Sequence, residues 1–349
     1  MENQLTFSQF EYSNKTRTTR KEKFLAEMNI AMPWMWMCDI IRPFYYLPGN
    51  GRQPTPLLTI LKMHMLSHWY NISDEILEDT IHDSMAFKNF IGNHVPDATT
   101  LCKFRKILEK NKLNKKIFDK QVETLKEHGI ICEQGTIADA TIIHAGASPK
   151  NKDKKPNPEF SSVKKGNQWS FGMKSHIGID EDSGLVHSAV STQARVHDIN
   201  KVSECLHGNE KRVRGDAGYL NIENRPNVCE KLQDGSGKFE EVKIKENGKT
   251  KIKLVPVKRD VEFIISKRKS QIKTAEDKEQ EYQKSKVRAK VEWIFLILKH
   301  IFGFRKVRLR TLAANDERLY MYYSLVNIYK LSKSGMTQNS ACFAHLKVA

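Results

Sequence analysis

No C-x-x-C pair occurs in this sequence; its six cysteines (Cys38, Cys102, Cys132, Cys205, Cys229 and Cys342) are scattered over 349 residues. That scatter argues against a structural zinc site and a disulfide scaffold, and predicts buried free thiols in a reducing cytoplasm. No apolar run approaches the roughly 20 residues that span a bilayer, and the first residues, polar and basic, lack the apolar centre of a secretory signal. The expectation is a cytoplasmic protein without a membrane partner. Acidic residues are also in short supply: 41 Asp+Glu face 58 Lys+Arg, a net charge of +17. Such a balance points to a polyanionic partner, with a merely basic solvated surface as the alternative.

What is present is enough to fold. Hydrophobic residues make up 39% and aromatics 9%, and the length allows two or three domains of roughly 150 residues. Residues 1–50 read as a basic arm and linker that carries "MPWMWM", a core or dimer contact, and breaks at Pro48, Gly49 and Gly51. Residues 51–128 read as an all-helical domain. Within it "LLTILKMHMLSHWY" is apolar all round, as a buried helix is, and Ser73 and Asp74, then Asp97 or Thr99, are cap candidates for the next helices. "VPDATTLCKFRKIL" fits a helix-turn-helix, which would aim Lys103, Arg105 and Lys106 at DNA; a plain helical bundle with wet lysines fits equally.

After Gly129 the texture changes to an α/β pattern over 129–331: three strands, helix, strand, helix, a hairpin insert near 234–257, strand, helix. The turn signals are Asp182-Ser183-Gly184 and Glu246-Asn247-Gly248, Asp198 is a helix-cap candidate, and residues 278–302 form the last major helix before a short tail, 332–349. This predicts a mixed sheet with helices on its faces.

Three carboxylates stand out in that region. Asp139 interrupts the apolar strand "GTIADATIIHA", where an isolated charge costs several kcal/mol unless something compensates it. Asp216 ends a later strand between Gly215 and Gly218. Glu292 is the one acid among nine Lys or Arg in residues 284–310. At 100° per residue Val287, Val291, Ile294, Leu298 and Ile301 share a core stripe, and Arg288, Glu292 and Lys299 a second one. Singly, each acid has a plain reading: a backbone-bonded carboxylate, a turn residue, an i,i+4 ion pair. Together, converging acids suit Mg²⁺ or Mn²⁺, and a metal would answer the charge on Asp139. Further along, Lys164 and Lys165 read as DNA-positioning or as loop lysines. Trp169 and His176 read as nucleic-acid contacts or as a buried ring and a satisfied histidine, and His144, His187 and His197 as structural.

At these residues the chain resembles the DDE transposases of bacterial insertion sequences, of the IS-four/IS-five type and nearest the IS-five group. The phrases that carry the likeness are "LPGNGRQPTPLLTILKMHMLSHWYNISD", "GTIADATIIHA", "KKGNQWSFGMKSHIGID", "GDAGY" and "RAKVEWIFLILKHIFGFRKVRLRTLAAND". The resemblance implies an RNase H-like catalytic domain with Asp139, Asp216 and Glu292 as its metal-binding triad, and Arg288 and Lys299 as the basic positions beside the glutamate. It also implies double-stranded DNA, at element ends and target, as partner, a homodimer on paired ends, Mg²⁺ with Mn²⁺ as substitute, and a place on the nucleoid. Ser285 stands where the wider signature has tyrosine, with Tyr282 nearby, and Trp293 where close relatives carry histidine. A nuclease without strand transfer and a DNA-binding regulator without catalysis are the rival readings.

Overall fold

The computed structural model describes residues 16–334 apart from Arg52, Asn93, 147–154 and 247–248. The arm up to residue 15, the lysines of 150–154, the Asn247-Gly248 turn, Cys342 and the expected tail from residue 335 lie outside the described residues. The chain divides into two compact units, one of residues up to Ile117 and from Ser324 onward, the other Phe118–Tyr323. No helix among the described residues is long and apolar enough to cross a membrane.

The first unit is helical: α1 (Arg20–Ala31), α2 (Trp34–Ile41), α3 (Leu57–Trp69), α4 (Asp74–Asp83), α5 (Met85–Ile91), α6 (Ala98–Lys110) and the start of α7 (Leu113–Glu127). Helix α1 opens on a reciprocal cap: Glu22 N–H donates to Thr19 Oγ1 at 3.3 Å and Thr19 N–H to Glu22 Oε2 at 2.7 Å. As its all-apolar sequence predicts, α3 is buried nearly all round, with Ile60, Leu61 and Met63–Trp69 in the core. Phe24, Trp34, Trp69 and Phe90 pack edge to face at 5.6–6.4 Å around its end. Asp97 caps α6 by accepting from Thr100 N–H at 2.6 Å, whereas Ser73 precedes α4 without a side-chain cap.

The second unit is built on a six-stranded mixed sheet of β1 (Gly135–His144), β2 (Ser161–Lys165), β3 (Gln168–Asp180), β4 (Val186–Gln193), β5 (Arg212–Gly215) and β8 (Glu262–Ile265). Strands β1, β5 and β8 run parallel, and β3 is antiparallel to β1, β2 and β4. Strands β6 (Phe239–Glu246) and β7 (Lys249–Pro256) form the separate hairpin expected near 234–257. Successive residues of β1 face opposite sides. Ala138 enters a core with Val202, Cys205, Val213, Tyr219, Ile222 and Val228. The other face meets α10 (Ala275–Leu296) and α11 (Leu312–Lys333). There the buried Ser175 and Tyr323 hydroxyls bond at 2.7 Å, and Tyr320 donates to the Ala189 carbonyl at 3.0 Å.

Four expectations need correction. Residues 161–165 are a strand, not a loop, because they find an antiparallel partner in the early part of β3. The helix from Ala275 is not the last: α11 comes after it with 22 residues, its buried Tyr322, Tyr323, Leu325 and Val326 hidden from a periodicity reading by polar neighbours. Asp198 caps no helix; it heads a short 3₁₀ turn, Asp198–Asn200, without a side-chain cap, and pairs with Lys174 at 3.0 Å. Cys132 is exposed rather than buried. A Tyr323→Phe change, which strips the buried Ser175 hydroxyl of its partner, should cost about 1–2 kcal/mol in equilibrium denaturation with the helix content unchanged.

Candidate active site

The parallel pairing of β1 with β5 covers Gly135–Ile137 against Arg212–Arg214 and stops there. Asp139 lies just beyond, where β5 has left the sheet and β1 has lost its neighbour on that side. The apolar strand can therefore carry a carboxylate: protein surrounds it, yet it keeps partial access to solvent. Its Oδ1 accepts from the Ala140 N–H at 2.7 Å.

Asp216 sits where β5 turns away. Its Oδ1 accepts from the Gly218 N–H at 2.8 Å, closing the 3₁₀ turn Ala217–Tyr219. Both glycines of "GDAGY" have a steric reason. A Cβ on Gly215 would stand 2.9 Å from the Tyr219 ring, and one on Gly218 would stand 2.9 Å from the Asp216 carboxylate.

Helix α10 brings the third acid. Thr274 and Asp277 cap it reciprocally at 3.0 and 3.2 Å. Two of its lysines, which sequence alone offers to DNA, instead anchor the helix: Lys290 Nζ donates to the Glu181 carbonyl at 2.6 Å and Lys284 Nζ to the Ile265 carbonyl at 3.1 Å. Arg288 is three-quarters buried, its Nε without a hydrogen-bond partner, and its Nη2 lies 3.7 Å from Oε1 of the exposed Glu292.

The stripe geometry fails beyond Leu296. Residues Ile297–Ile301 form a π turn, which fits an extra residue into the helix and rotates the side chains beyond it. Ile297 and Leu298 are both buried, while Ile301 turns out to solvent at 37% exposure. Lys299 is the third residue of that turn. It lies half-buried in the field of Lys165 and Arg305, and burial, then those two cations, pushes its pKa down to about 8. Arg305 Nε donates to the Lys299 carbonyl at 2.9 Å.

Asp139 is the electrostatic centre. Burial, then the nearby charges of Asp216 and Asp198, push its pKa up to about 6 against the opposing effects of the Ala140 N–H and Arg288. Thus the structure gathers Asp139, Asp216 and Arg288 into one neighbourhood, and Glu292 attaches to it through Arg288. Among the described residues the one place where three ligand-type atoms fall within 4.8 Å of each other is Cys132, Asp180 and Asp182. The three acids have not closed to that spacing. The Asp180 oxygens there are taken up by the backbone N–H groups of Cys132 and Ser183.

Residues 131–328 match the family described as Transposase DDE domain, and residues 13–107 match Transposase domain (DUF772). The chain is a DDE transposase. The pairing of these two domains is typical of insertion-sequence transposases of the IS-four/IS-five type, and the mixed sheet with its flanking helices is the RNase H-like DDE domain. Such domains cut DNA phosphodiesters and transfer strands, and they use divalent metal ions.

The transposase fits that requirement in its donor set. Carboxylate oxygens are the ligands hard divalent cations take, and the Asp139 and Asp216 carboxylates lie within electrostatic reach of each other, on β1 and just after β5.

Of the remaining expected residues, Lys103 and Lys106 are exposed on α6. Arg105 is not available to DNA: its two Nη atoms grip both oxygens of Asp74 at 2.9 and 2.7 Å and hold α6 to α4. Lys164 and Lys165 are exposed on β2, and Trp169, read as a nucleic-acid contact or as a buried ring, is 70% exposed on β3. His176 is buried, its Nε2 bonded to Thr192 Oγ1 at 2.8 Å, and burial lowers its pKa to about 4. His187 is buried and bonded to Thr136 and Ser188 at 3.1 and 2.9 Å, a structural role as expected. Sequence reasoning missed Arg305 and the Lys174–Asp198 pair near the site, which no spacing signal connects to the carboxylates.

The raised pKa of Asp139 makes metal-free stability depend on pH. The folded state holds this proton more tightly than the unfolded chain, so stability is full below about pH 4 and falls as pH rises to about 6. Asp139→Asn should therefore stabilise the metal-free transposase by up to about 3 kcal/mol above pH 6, and by little below pH 4. Melting curves in EDTA across pH 4–8 check this, and added divalent metal should shrink the difference.

Proposed function

We propose that this chain binds the terminal inverted repeats of an insertion sequence, cuts a phosphodiester at each end and joins the freed 3′-OH to target DNA, two copies acting on paired ends. The single observation that carries this reading is the nearness of Asp216 and Arg288 to the Asp139 carboxylate within the β1 strand. Asp139 and Asp216, with Glu292 once its exposed side chain turns inward, would hold the metal, Mg²⁺ by preference and Mn²⁺ as substitute. A bound divalent ion makes water a better nucleophile and neutralises charge that builds on phosphate oxygens.

The chain's own residues do the positioning. Arg288, with a buried donor unspent, faces negative charge from one side. Lys299, Lys165 and Arg305 form a self-repelling cationic group that a DNA phosphate would relieve. In the first step a water oxygen bonds to phosphorus and the 3′ oxygen leaves; in the second that 3′-OH attacks the target phosphodiester and displaces another 3′ oxygen. Holding the reacting groups in line carries most of the acceleration. Lys103 and Lys106 on α6 would contact the ends, with Arg105 fixing the helix that carries them.

Asp139→Asn, Asp216→Asn and Glu292→Gln should each lower end cleavage at least about a hundredfold while end binding persists. Near-normal cleavage by any one in Mg²⁺ removes that residue from the site, and products limited to hydrolysis, with no joined strands from a precut end, favour a simple nuclease. Lys299→Ala should lower strand transfer more than it lowers the melting temperature; unchanged transfer makes Lys299 an ordinary lysine. Lys103→Ala with Lys106→Ala should weaken end binding and flatten its salt dependence by about two counterions. A slope equal to the parent's excludes α6 from the DNA contact.

A further inference from the structure

The β6–β7 hairpin has two faces, and packing within the chain accounts for one of them. In its register Glu240 stands opposite Val255 and Val242 opposite Lys253, so these four share a face. Phe239 with Pro256, Glu241 with Leu254 and Lys243 with Ile252 share the other. On the first face Val242 and Val255 are buried against Cys229 of the helix Pro226–Lys231. The foot of the hairpin is tied down as well. Lys258 Nζ donates to the Glu223 carbonyl at 3.1 Å and lies 3.7 Å from Glu240, and the Val257 N–H donates to the Lys238 carbonyl at 3.0 Å.

The second face is held out to solvent. It carries Phe239, Ile252 and Leu254 at 63, 61 and 63% exposure, with Glu241 and Lys243 exposed between them. Three large apolar side chains on one side of a two-stranded ribbon form the kind of patch that a partner covers.

The order of residues on that face says which partner. Along β6 it reads Glu241 then Lys243, and along β7 Ile252 then Leu254. A two-fold axis lying in the face, across the strands and midway between the Glu241–Leu254 and Lys243–Ile252 rows, lays each strand antiparallel on its own counterpart. Glu241 then meets the partner's Lys243, Lys243 the partner's Glu241, and Leu254 the partner's Ile252. An axis along the strands would instead set both charges on apolar side chains, at the cost of their hydration. The face is thus self-complementary in one arrangement, as an isologous contact requires.

We infer that this face joins two copies of the chain, their β6–β7 hairpins stacked antiparallel with Ile252 and Leu254 packed together and the two Glu241–Lys243 pairs beside them. Strands of 8 residues give a face of about 27 Å by 10 Å, roughly a third of the ~800 Å² per partner that sustains a stable dimer. Such a contact leaves free chains mostly monomeric and closes when DNA holds two copies at high effective concentration. The inference rests on the paired-ends reading above for its purpose, while the contact itself can be measured without DNA.

The test uses the full-length protein. Sedimentation equilibrium up to about 300 μM, without DNA, should show a weak, reversible monomer–dimer equilibrium. Leu254→Asp should weaken it at least about tenfold. Glu241→Lys and Lys243→Glu, each alone, set like charges against each other and should weaken it to a similar degree. An equimolar mixture of those two variants restores opposite charges at both positions and should regain the parent's association to within about threefold. Rescue by mixing cannot come from two misfolded chains. A parent that stays monomeric throughout, a Leu254→Asp variant that associates like the parent, or a mixture no tighter than its components overturns the inference. On two end DNAs carrying a fluorescence donor and acceptor, Leu254→Asp should lower the paired-end signal at least about tenfold while single-end binding persists; lost single-end binding would instead make the face a DNA surface and overturn the contact. A parent that associates through the hairpin but neither binds nor cuts the ends refutes the DNA-cutting reading alone. A parent that cuts, with Leu254→Asp pairing the ends equally well, refutes the contact alone.

Discussion

The catalytic half of the molecule depends on one unfavourable contact: a carboxylate placed in the middle of an apolar strand and near a second one. Asp139 belongs to the sheet by its backbone while its side chain keeps some access to solvent, and the two claims are reconciled because β5 ends at Gly215. One more pair of residues between β1 and β5 would leave the carboxylate beside a closed sheet. The turn at Asp216 thus opens the sheet and delivers the second acid in the same four residues. The rise in the Asp139 pKa to about 6 records what the arrangement costs the folded chain before any cation arrives.

A matching imbalance of opposite sign lies along the helix that faces β1. Burial first, then the charges of Lys165 and Arg305, takes part of the basicity from the half-buried Lys299. Neither cluster relaxes by pairing with the other, since each has its own rigid support. Glu181, nearly buried, receives Arg212 and Arg214 at 2.9 and 2.8 Å, and its carbonyl receives Lys290 from the helix. These bonds fix the distance between strand ends and helix without neutralising either cluster. On the function proposed above, a divalent cation and a phosphodiester together would relieve both, which is what a site for metal-assisted phosphoryl chemistry must ask of its ligands.

Much of this is legible from residue order. The apolar strand "GTIADATIIHA", the glycines of "GDAGY", the burial of α3 and the cap at Asp97 each come from local rules, and the structure agrees with them. What escapes is set by tertiary contact. Periodicity cannot announce a π turn, so the core position it gives Ile301 is not kept. Composition cannot tell a lysine that binds carbonyl oxygens from one that waits for phosphate, so Lys284 and Lys290 look like their neighbours. Arg105 has the same lesson in the helical unit, where its partner Asp74 is thirty-one residues away. Polar residues without a partner nearby in sequence, Asp198 among them, are read as caps because local rules offer nothing else.

Charge alone therefore overstates the nucleic-acid surface of a basic chain. The excess of 17 positive charges includes guanidinium and ammonium groups that work as internal fasteners, each bonded and largely withdrawn from solvent. The cations that remain to meet DNA are recognised by the opposite property: they are unpaired or crowded by their own kind. Arg288 with a buried donor unspent and Lys299 with its lowered pKa satisfy that description, and the exposed lysines of β2 and α6 satisfy it more weakly. A folded protein tolerates such groups only where a ligand repays them. On the function proposed above, the electrostatically dissatisfied residues, rather than the merely charged ones, are the ones that would meet the substrate.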